Sequence, residues 1–167
     1  MHRLVRYCDA KTMESIRYEW CTDISNVPSS HAFEEDLADL LFQLCGVRES
    51  VTREQVRNAV AQGAMILFAW ADGVAGRTDP MLVGMVTLSP TPKIRKPEGR
   101  IEELVVSEHY RRQGIGKALL ERVITKAREQ RMVKLNWTSQ EKRTEARQMY
   151  ASFGFVPYDT GVFSMPL

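Results

Sequence analysis

The chain has 167 residues, 44% hydrophobic and 26% charged, so it reads as one globular domain spanning 1–167 whose core needs neither disulfide nor metal. Its 23 basic and 21 acidic side chains leave a formal charge of +2, which gives no support to a nucleic-acid partner. No apolar run reaches the roughly 18 residues of a membrane span, no signal-peptide core opens the chain, and Cys8, Cys21 and Cys45 show no paired spacing for a disulfide or zinc site; the expectation is a reduced, cytoplasmic protein with no membrane partner.

In chain order, His2 to Cys8 reads as a first strand, and Asp9 or Thr12 as the cap of a helix running to Trp20. Residues 26–30 (NVPSS) form a loop by composition. Phe33, Leu37, Leu40, Leu41 and Leu44 recur at helical steps, predicting a helix to Cys45 that Gly46 ends. Thr52 and Gln55 have the spacing of a capping box for a short helix stopping near Gly63. Ala64 to Ala71 is a continuous apolar run, as in a strand covered on both faces. Met81 to Leu88 is the next strand, Thr91 to Gly99 an exposed loop, and Arg100 to Val106 a third strand. Gly114 to Gln130 is a long helix striped by Ile115, Ala118, Leu119, Val123 and Ala127. Val133 to Ser139 is a strand, and Thr144 to Phe153 a helix burying Ala146, Met149, Tyr150 and Phe153. Gly154 follows that helix, then short strands at 155–157 and 162–165. This order predicts one mixed α/β sheet flanked by helices.

Chemistry concentrates where the strand ending at Val106 meets the helix opening at Gly114. A helix start offers free N–H groups and the positive end of its dipole, a natural seat for phosphate. Gly114 and Gly116 carry no Cβ, and Arg111, Arg112 and Lys117 add positive charge. The spacing is neither that of a P-loop, since no Ser or Thr follows Lys117, nor that of a dinucleotide loop, since Leu119 occupies the third small position. Taken alone, a flexible loop with solvated arginines explains the segment as well as a phosphate site does.

The segment nevertheless resembles a signature of the GNAT superfamily, the general-control-type N-acetyltransferases. Their Q/R-x-x-G-x-G/A motif is matched by Arg111-Arg112-Gln113-Gly114-Ile115-Gly116, five residues beyond the strand Leu104-Val105-Val106. Downstream, Ala146, Met149, Tyr150, Gly154 and Phe155 match the family's A-x-x-hydrophobic-Y-x-x-x-G-F ending. Residues 135–139 stand where the family places the strand after the long helix. The resemblance covers residues 64–167 well and the first 60 only in outline. It implies an α/β (α+β) fold: a mixed, mostly antiparallel central sheet of six to seven strands, with a splayed parallel pair formed by the strands around 100–106 and 133–139. It also implies acetyl-coenzyme A as acyl donor, no metal, and a primary amine of a small molecule, amino acid or peptide as acceptor. The donor's pantetheine arm would pair with Leu104, Val105 and Val106, its pyrophosphate would rest on Gln113 to Lys117 with Arg111 and Arg112 adding charge beside it, Ser139 would add a contact, and Arg143 would reach either a phosphate or the acceptor. The chain departs from the family at Arg143, where many members carry an Asn seven residues before the helix tyrosine. A homodimer is left open.

An amine must be neutral to attack, so a base is needed. Glu102 and Glu103 interrupt an apolar strand, and strand alternation predicts that they face opposite sides. Glu103 is the preferred base, with Glu102, a water chain, or surface pairing of both carboxylates with Arg100 or Lys93 as alternatives. The resemblance implies that Tyr150 protonates the leaving thiolate, although helix periodicity by itself fits a core tyrosine. Glu34, Glu35, Asp36 and Asp39 are either an attraction for a cationic acceptor or a solvated helix face. Two other functions remain open at this level: a non-catalytic acyl-coenzyme A sensor on the same fold, and a nucleotide-binding module.

Overall fold

The computed structural model describes residues 15–139, 143–158 and 164–165. The chain falls into two compact units, Met1–Trp137 and Thr138–Leu167. In the first unit the strands are β1 (Ser15–Cys21), β2 (Met65–Asp72), β3 (Met81–Thr91), β4 (Glu98–Val106) and β5 (Leu135–Trp137), and the helices are α1 (His31–Cys45), α2 (Arg53–Ala61) and α3 (Ile115–Glu129). The second unit holds α4 (Thr144–Ser152). The sheet order is β1-β2-β3-β4-β5, antiparallel except for the parallel β4–β5 pair.

A mixed α/β sheet with one parallel pair is therefore present, but its five strands among the described residues do not match the expected six to seven. Residues 155–157 form no strand, and the strand expected over His2–Cys8 lies outside the described residues. The helix expected to run to Trp20 is overturned in its later part: Ser15–Cys21 is a strand paired along its whole length with β2. Ile16, Tyr18 and Trp20 alternate there with Arg17 and Glu19, and β-branched and aromatic side chains suit a pleated, half-buried edge. The two-residue step of Tyr18 and Trp20 matches the one-turn step of Arg122 and Lys126 on α3. The Arg122 guanidinium lies 3.9 Å from the Tyr18 ring centre and the Lys126 ammonium 5.4 Å from that of Trp20. The loop expected over Thr91–Gly99 is shorter than its composition suggested, because β3 runs to Thr91 and β4 starts at Glu98.

On one face of the sheet, Ile66, Phe68 and Trp70 of β2, with Leu82 and Met85 of β3 and Val105 of β4, join Phe33, Leu37 and Leu40 of α1 in one core. Phe33 meets Phe68 edge-on, with ring centres 5.4 Å apart. α3 packs on the other face through Ile115, Leu119, Leu120, Val123 and Ala127. Leu120 takes the inner place that the predicted stripe gave to Ala118. The capping box at Thr52 and Gln55 forms as the spacing predicted.

Asp36 contradicts a simple reading of its helix face. It lies on the α1 stripe between Phe33 and Leu40 and is only 8% exposed. Its carboxylate receives Arg77 Nη1 at 2.8 Å, Arg77 Nη2 at 3.0 Å and the Leu82 amide at 3.0 Å. That clamp fixes α1 to the turn before β3 and to the first residues of β3. Of its acidic neighbours, Glu34 accepts the Arg53 amide at 2.6 Å and Asp39 pairs with Arg48 at 2.9 Å. Asp36 and Glu34 are thus held by contacts within the fold, while Glu35 and Asp39 stay exposed.

Candidate active site

The site begins with a fault in the β3–β4 ladder. Met85 opposes Val105 and Thr87 opposes Glu102, so Val86 alone faces the two residues Glu103 and Leu104. Such a bulge bends the strand and breaks the alternation of its side chains. Glu103 absorbs the extra residue at φ 53°, a left-handed conformation costing roughly 1–2 kcal/mol outside glycine.

The bulge overturns the expectation that Glu102 and Glu103 face opposite sides. Thr87 Oγ1 donates to Glu103 Oε2 at 2.7 Å, and Ser89 Oγ donates to Glu102 Oε2 at 3.0 Å. Thr87 and Ser89 alternate with Met85, so both carboxylates come to the face carrying α1. Their surroundings differ. Glu102 also accepts Arg100 Nε at 2.9 Å, as the surface-pairing alternative supposed, whereas Lys93 pairs with Glu98 instead. Glu103 is exposed and meets no cation among the described residues.

The far edge of β4 is equally specific. Its parallel pairing with β5 is confined to Gly99–Leu135, Arg100–Asn136 and Ile101–Trp137. β5 ends at Trp137, and Glu102 to Val106 pair with no strand on that side among the described residues. Backbone N–H and C=O groups left so seek partners. β4 leads through a short turn at Glu108–Tyr110 to the start of α3. That turn is tied down by the Ser107 amide on Val83 O and the Glu108 amide on Gln43 Oε1.

The α3 start carries no side-chain cap. Gly114 is its N-cap residue at φ 83°, Arg112 precedes it at φ 60°, and the first helical bond runs from the Ala118 amide to Gly114 O. The amides of Ile115, Gly116 and Lys117 therefore have no carbonyl of their own helix behind them. Arg111, Arg112, Gln113 and Lys117 are exposed around them. Arg111 is turned back, its Nε 3.0 Å from Val106 O at the end of β4. Gly84 of β3 lets this end of α3 approach the sheet. A Cβ there would stand 3.2 Å from Val105 O, 3.4 Å from Leu119 Cδ1 and 3.5 Å from Ile115 Cγ2.

The model of the acetyltransferase (GNAT) family matches residues 40–155, well over half of the chain. The chain belongs to this family. Among solved structures, glucosamine-6-phosphate N-acetyltransferase from Arabidopsis thaliana is 18% identical, with TM-score 0.71 over 91% of this chain and 99% of its own. An aminoglycoside acetyltransferase from an uncultured soil metagenomic sample, in complex with sisomicin, is 17% identical, with TM-score 0.73 over 91% and 96%. A transcriptional regulator from Bacillus halodurans is 19% identical, with TM-score 0.66 over 91% and 99%. At these identities the likeness is one of fold. Comparison with curated proteins gives no match.

GNAT proteins take acetyl-coenzyme A as acyl donor, and the chain offers groups that fit it: the open β4 edge at Leu104–Val106 and the uncapped α3 start. The second unit, taken by itself, adds Ser139, whose buried Oγ has no hydrogen-bond partner among the described residues. Arg143 immediately precedes α4. On α4, Ala146, Met149 and Tyr150 are half-buried, as is Phe153 just beyond it, which matches the predicted inner face, while the rest of the helix is exposed. Burial pushes the Tyr150 phenol up to about 12 against a smaller opposing pull from Arg143. Among the described residues no group of three His, Cys, Asp or Glu could hold a metal, and no helix is long and apolar enough to cross a membrane. The sequence reading missed Thr87, Ser89 and Asp36. Asp36 carried a signal, an acid at helical spacing between Phe33 and Leu40, whereas the two hydroxyls acquire meaning only once β3 is set in register against β4.

Proposed function

We propose that the chain transfers an acetyl group from acetyl-coenzyme A to a primary amine, with Glu103 as base and Tyr150 as acid. What carries the reading is the β4 bulge: on one strand it presents an exposed carboxylate with no cation beside it among the described residues, and the same strand then runs, with no strand on its far side among the described residues, to an uncapped helix start. The donor supplies an acyl thioester activated toward amines. The Leu104–Val106 backbone would hold its amide-bearing arm as an added strand, and the amides from Gln113 to Lys117, with Arg111 and Arg112, would hold its phosphates. Ser139 and Arg143 would add contacts along it. Glu103 takes the proton that an ammonium must lose before nitrogen attacks. As the carbon–sulfur bond breaks, Tyr150 gives its proton to the departing sulfur. A phenol held near 12 stays protonated throughout the neutral range and is available for that donation. Tyr150 enters through its motif and its burial.

The acceptor is tested with a panel of primary amines: glucosamine 6-phosphate and sisomicin, which the names of two neighbours suggest, together with spermidine and peptides with a free N-terminal alanine or a lysine. Release of free thiol from acetyl-coenzyme A is the readout, and calorimetry measures coenzyme A binding. Thiol release that depends on one amine, and falls by about 10² in Glu103→Gln, supports the reading. A second reading, an acyl-coenzyme A sensor without turnover, is favoured by Arg143 in place of the usual Asn and by the fold shared with the Bacillus halodurans regulator. It predicts tight coenzyme A binding and no thiol release across the panel. The exposed Cys45 and buried Cys21, both free thiols, suit a reducing compartment, and we place the reaction in the cytoplasm.

A further inference from the structure

We propose that Thr87 is the positioning residue of this site: its hydroxyl fixes one oxygen of Glu103 and leaves the other turned to the acceptor. The inference rests on the acetyl-transfer reading above. Thr87 is only 5% exposed, one of three buried polar or charged residues among those described. A buried hydroxyl needs a partner. This one reaches an exposed carboxylate, and not the residue directly opposite it. The register partner of Thr87 is Glu102, yet the hydrogen bond goes to Glu103. That diagonal is open only because the extra residue at Glu103 turns its side chain onto the Thr87 face.

The bond does specific work. A single hydroxyl proton is committed to Oε2, and Oε1 has no hydrogen-bond partner among the described residues. Oε1 keeps both of its lone pairs open to a proton, whereas Oε2 has one already engaged. A flexible glutamate held at one oxygen spends less time in unproductive rotamers, and orientation of this kind is a recognised source of rate. Ser89 supplies an internal comparison. It makes a similar bond to Glu102, but Arg100 already holds that carboxylate.

The test uses the full chain, acetyl-coenzyme A and whichever panel amine releases thiol fastest. Thr87→Val keeps the shape of the side chain and removes the donor, while Thr87→Ser keeps the donor. We expect Thr87→Val to lower kcat about tenfold with coenzyme A affinity unchanged. Thr87→Ser should stay within about twofold of the parent, and Ser89→Ala should do the same. In a Glu103→Gln background, Thr87→Val should cost less than about twofold further, because the group it orients no longer acts. Urea unfolding and coenzyme A binding establish that each variant is folded. Equal losses from Thr87→Val in both backgrounds, an undiminished rate, or no rescue by serine would overturn the positioning role while leaving acetyl transfer standing. Absence of thiol release by the parent chain with every amine, or full turnover by Glu103→Gln, would instead overturn the reading beneath it.

Discussion

Replacing Asp36 by alanine should destabilise the protein by about 3 kcal/mol. Two losses make up that figure. The Leu82 amide, on a residue 1% exposed, loses its acceptor at 3.0 Å with no water to replace it, which costs about 2 kcal/mol. Arg77 loses both of its bonds, but its side chain is 25% exposed and regains water, so about 1 kcal/mol is the larger estimate that screening allows. Asparagine should recover most of the first loss, since its side-chain oxygen still accepts from Leu82, and should cost about 1 kcal/mol. The assay is urea unfolding followed by tryptophan fluorescence. With a slope of about 2 kcal/mol/M for a chain of this size, Asp36→Ala moves the midpoint down by about 1.5 M. Arg77→Ala strands a buried carboxylate and should cost a similar amount, and the double variant should cost little more than either single one. A midpoint shift below about 0.5 M for Asp36→Ala, or additive losses in the double variant, would refute the clamp. The same clamp holds α1 over the face that bears Glu103, so Asp36→Asn should also lower turnover more than it lowers coenzyme A affinity.

Tyr150→Phe should reduce turnover by roughly 10- to 100-fold with coenzyme A affinity unchanged. Its phenol is raised by burial from 10.0 to about 12, so its contribution to stability is complete below pH 10 and is lost as pH rises through about 12. The difference in urea midpoint between the parent and Tyr150→Phe, measured at pH 9 and again at pH 11, should therefore shift against the parent at the higher pH. Arg112→Ala should weaken coenzyme A binding about threefold to tenfold at low salt and less at 0.5 M salt, because the exposed guanidinium acts through a screened field; titration calorimetry at the two salt concentrations decides it. Gly84→Ala should cost about 1–2 kcal/mol, since its Cβ meets the Val105 carbonyl at 3.2 Å. It should also weaken coenzyme A binding by moving the α3 start, as unfolding and calorimetry on the same sample will show.

Local patterns that one element carries by itself were legible in the sequence. The Thr52–Gln55 capping box, the α1 stripe, the glycine-bearing start of α3 and the half-buried face of α4 each depend on neighbours within four residues, and each is found as the spacing predicted. The run from Ser15 to Cys21 was misread because its strand character comes from partners far along the chain: the whole of β2 on one edge, and Arg122 and Lys126 beneath its rings. Tertiary contacts override weak local preference in such a segment.

The misreading at Glu102 and Glu103 has a different cause and a larger consequence. Strand alternation holds only while two strands stay in step, and one extra residue opposite Val86 turns Glu103 to the other face. Nothing within IEELVV announces the slip. It becomes visible only when Met85 and Thr87 are matched with Val105 and Glu102, three apart against two. The bulge costs a left-handed residue, and regular alternation from Glu102 would have sent Glu103 to the opposite face, the one packed by α3. The strained backbone at φ 53° is thus what keeps this carboxylate exposed on the face of α1, within 2.7 Å of the Thr87 hydroxyl. Strain retained at a single residue, on the strand whose edge opens just past the last parallel pair at Ile101, is the pattern expected where geometry serves chemistry more than stability.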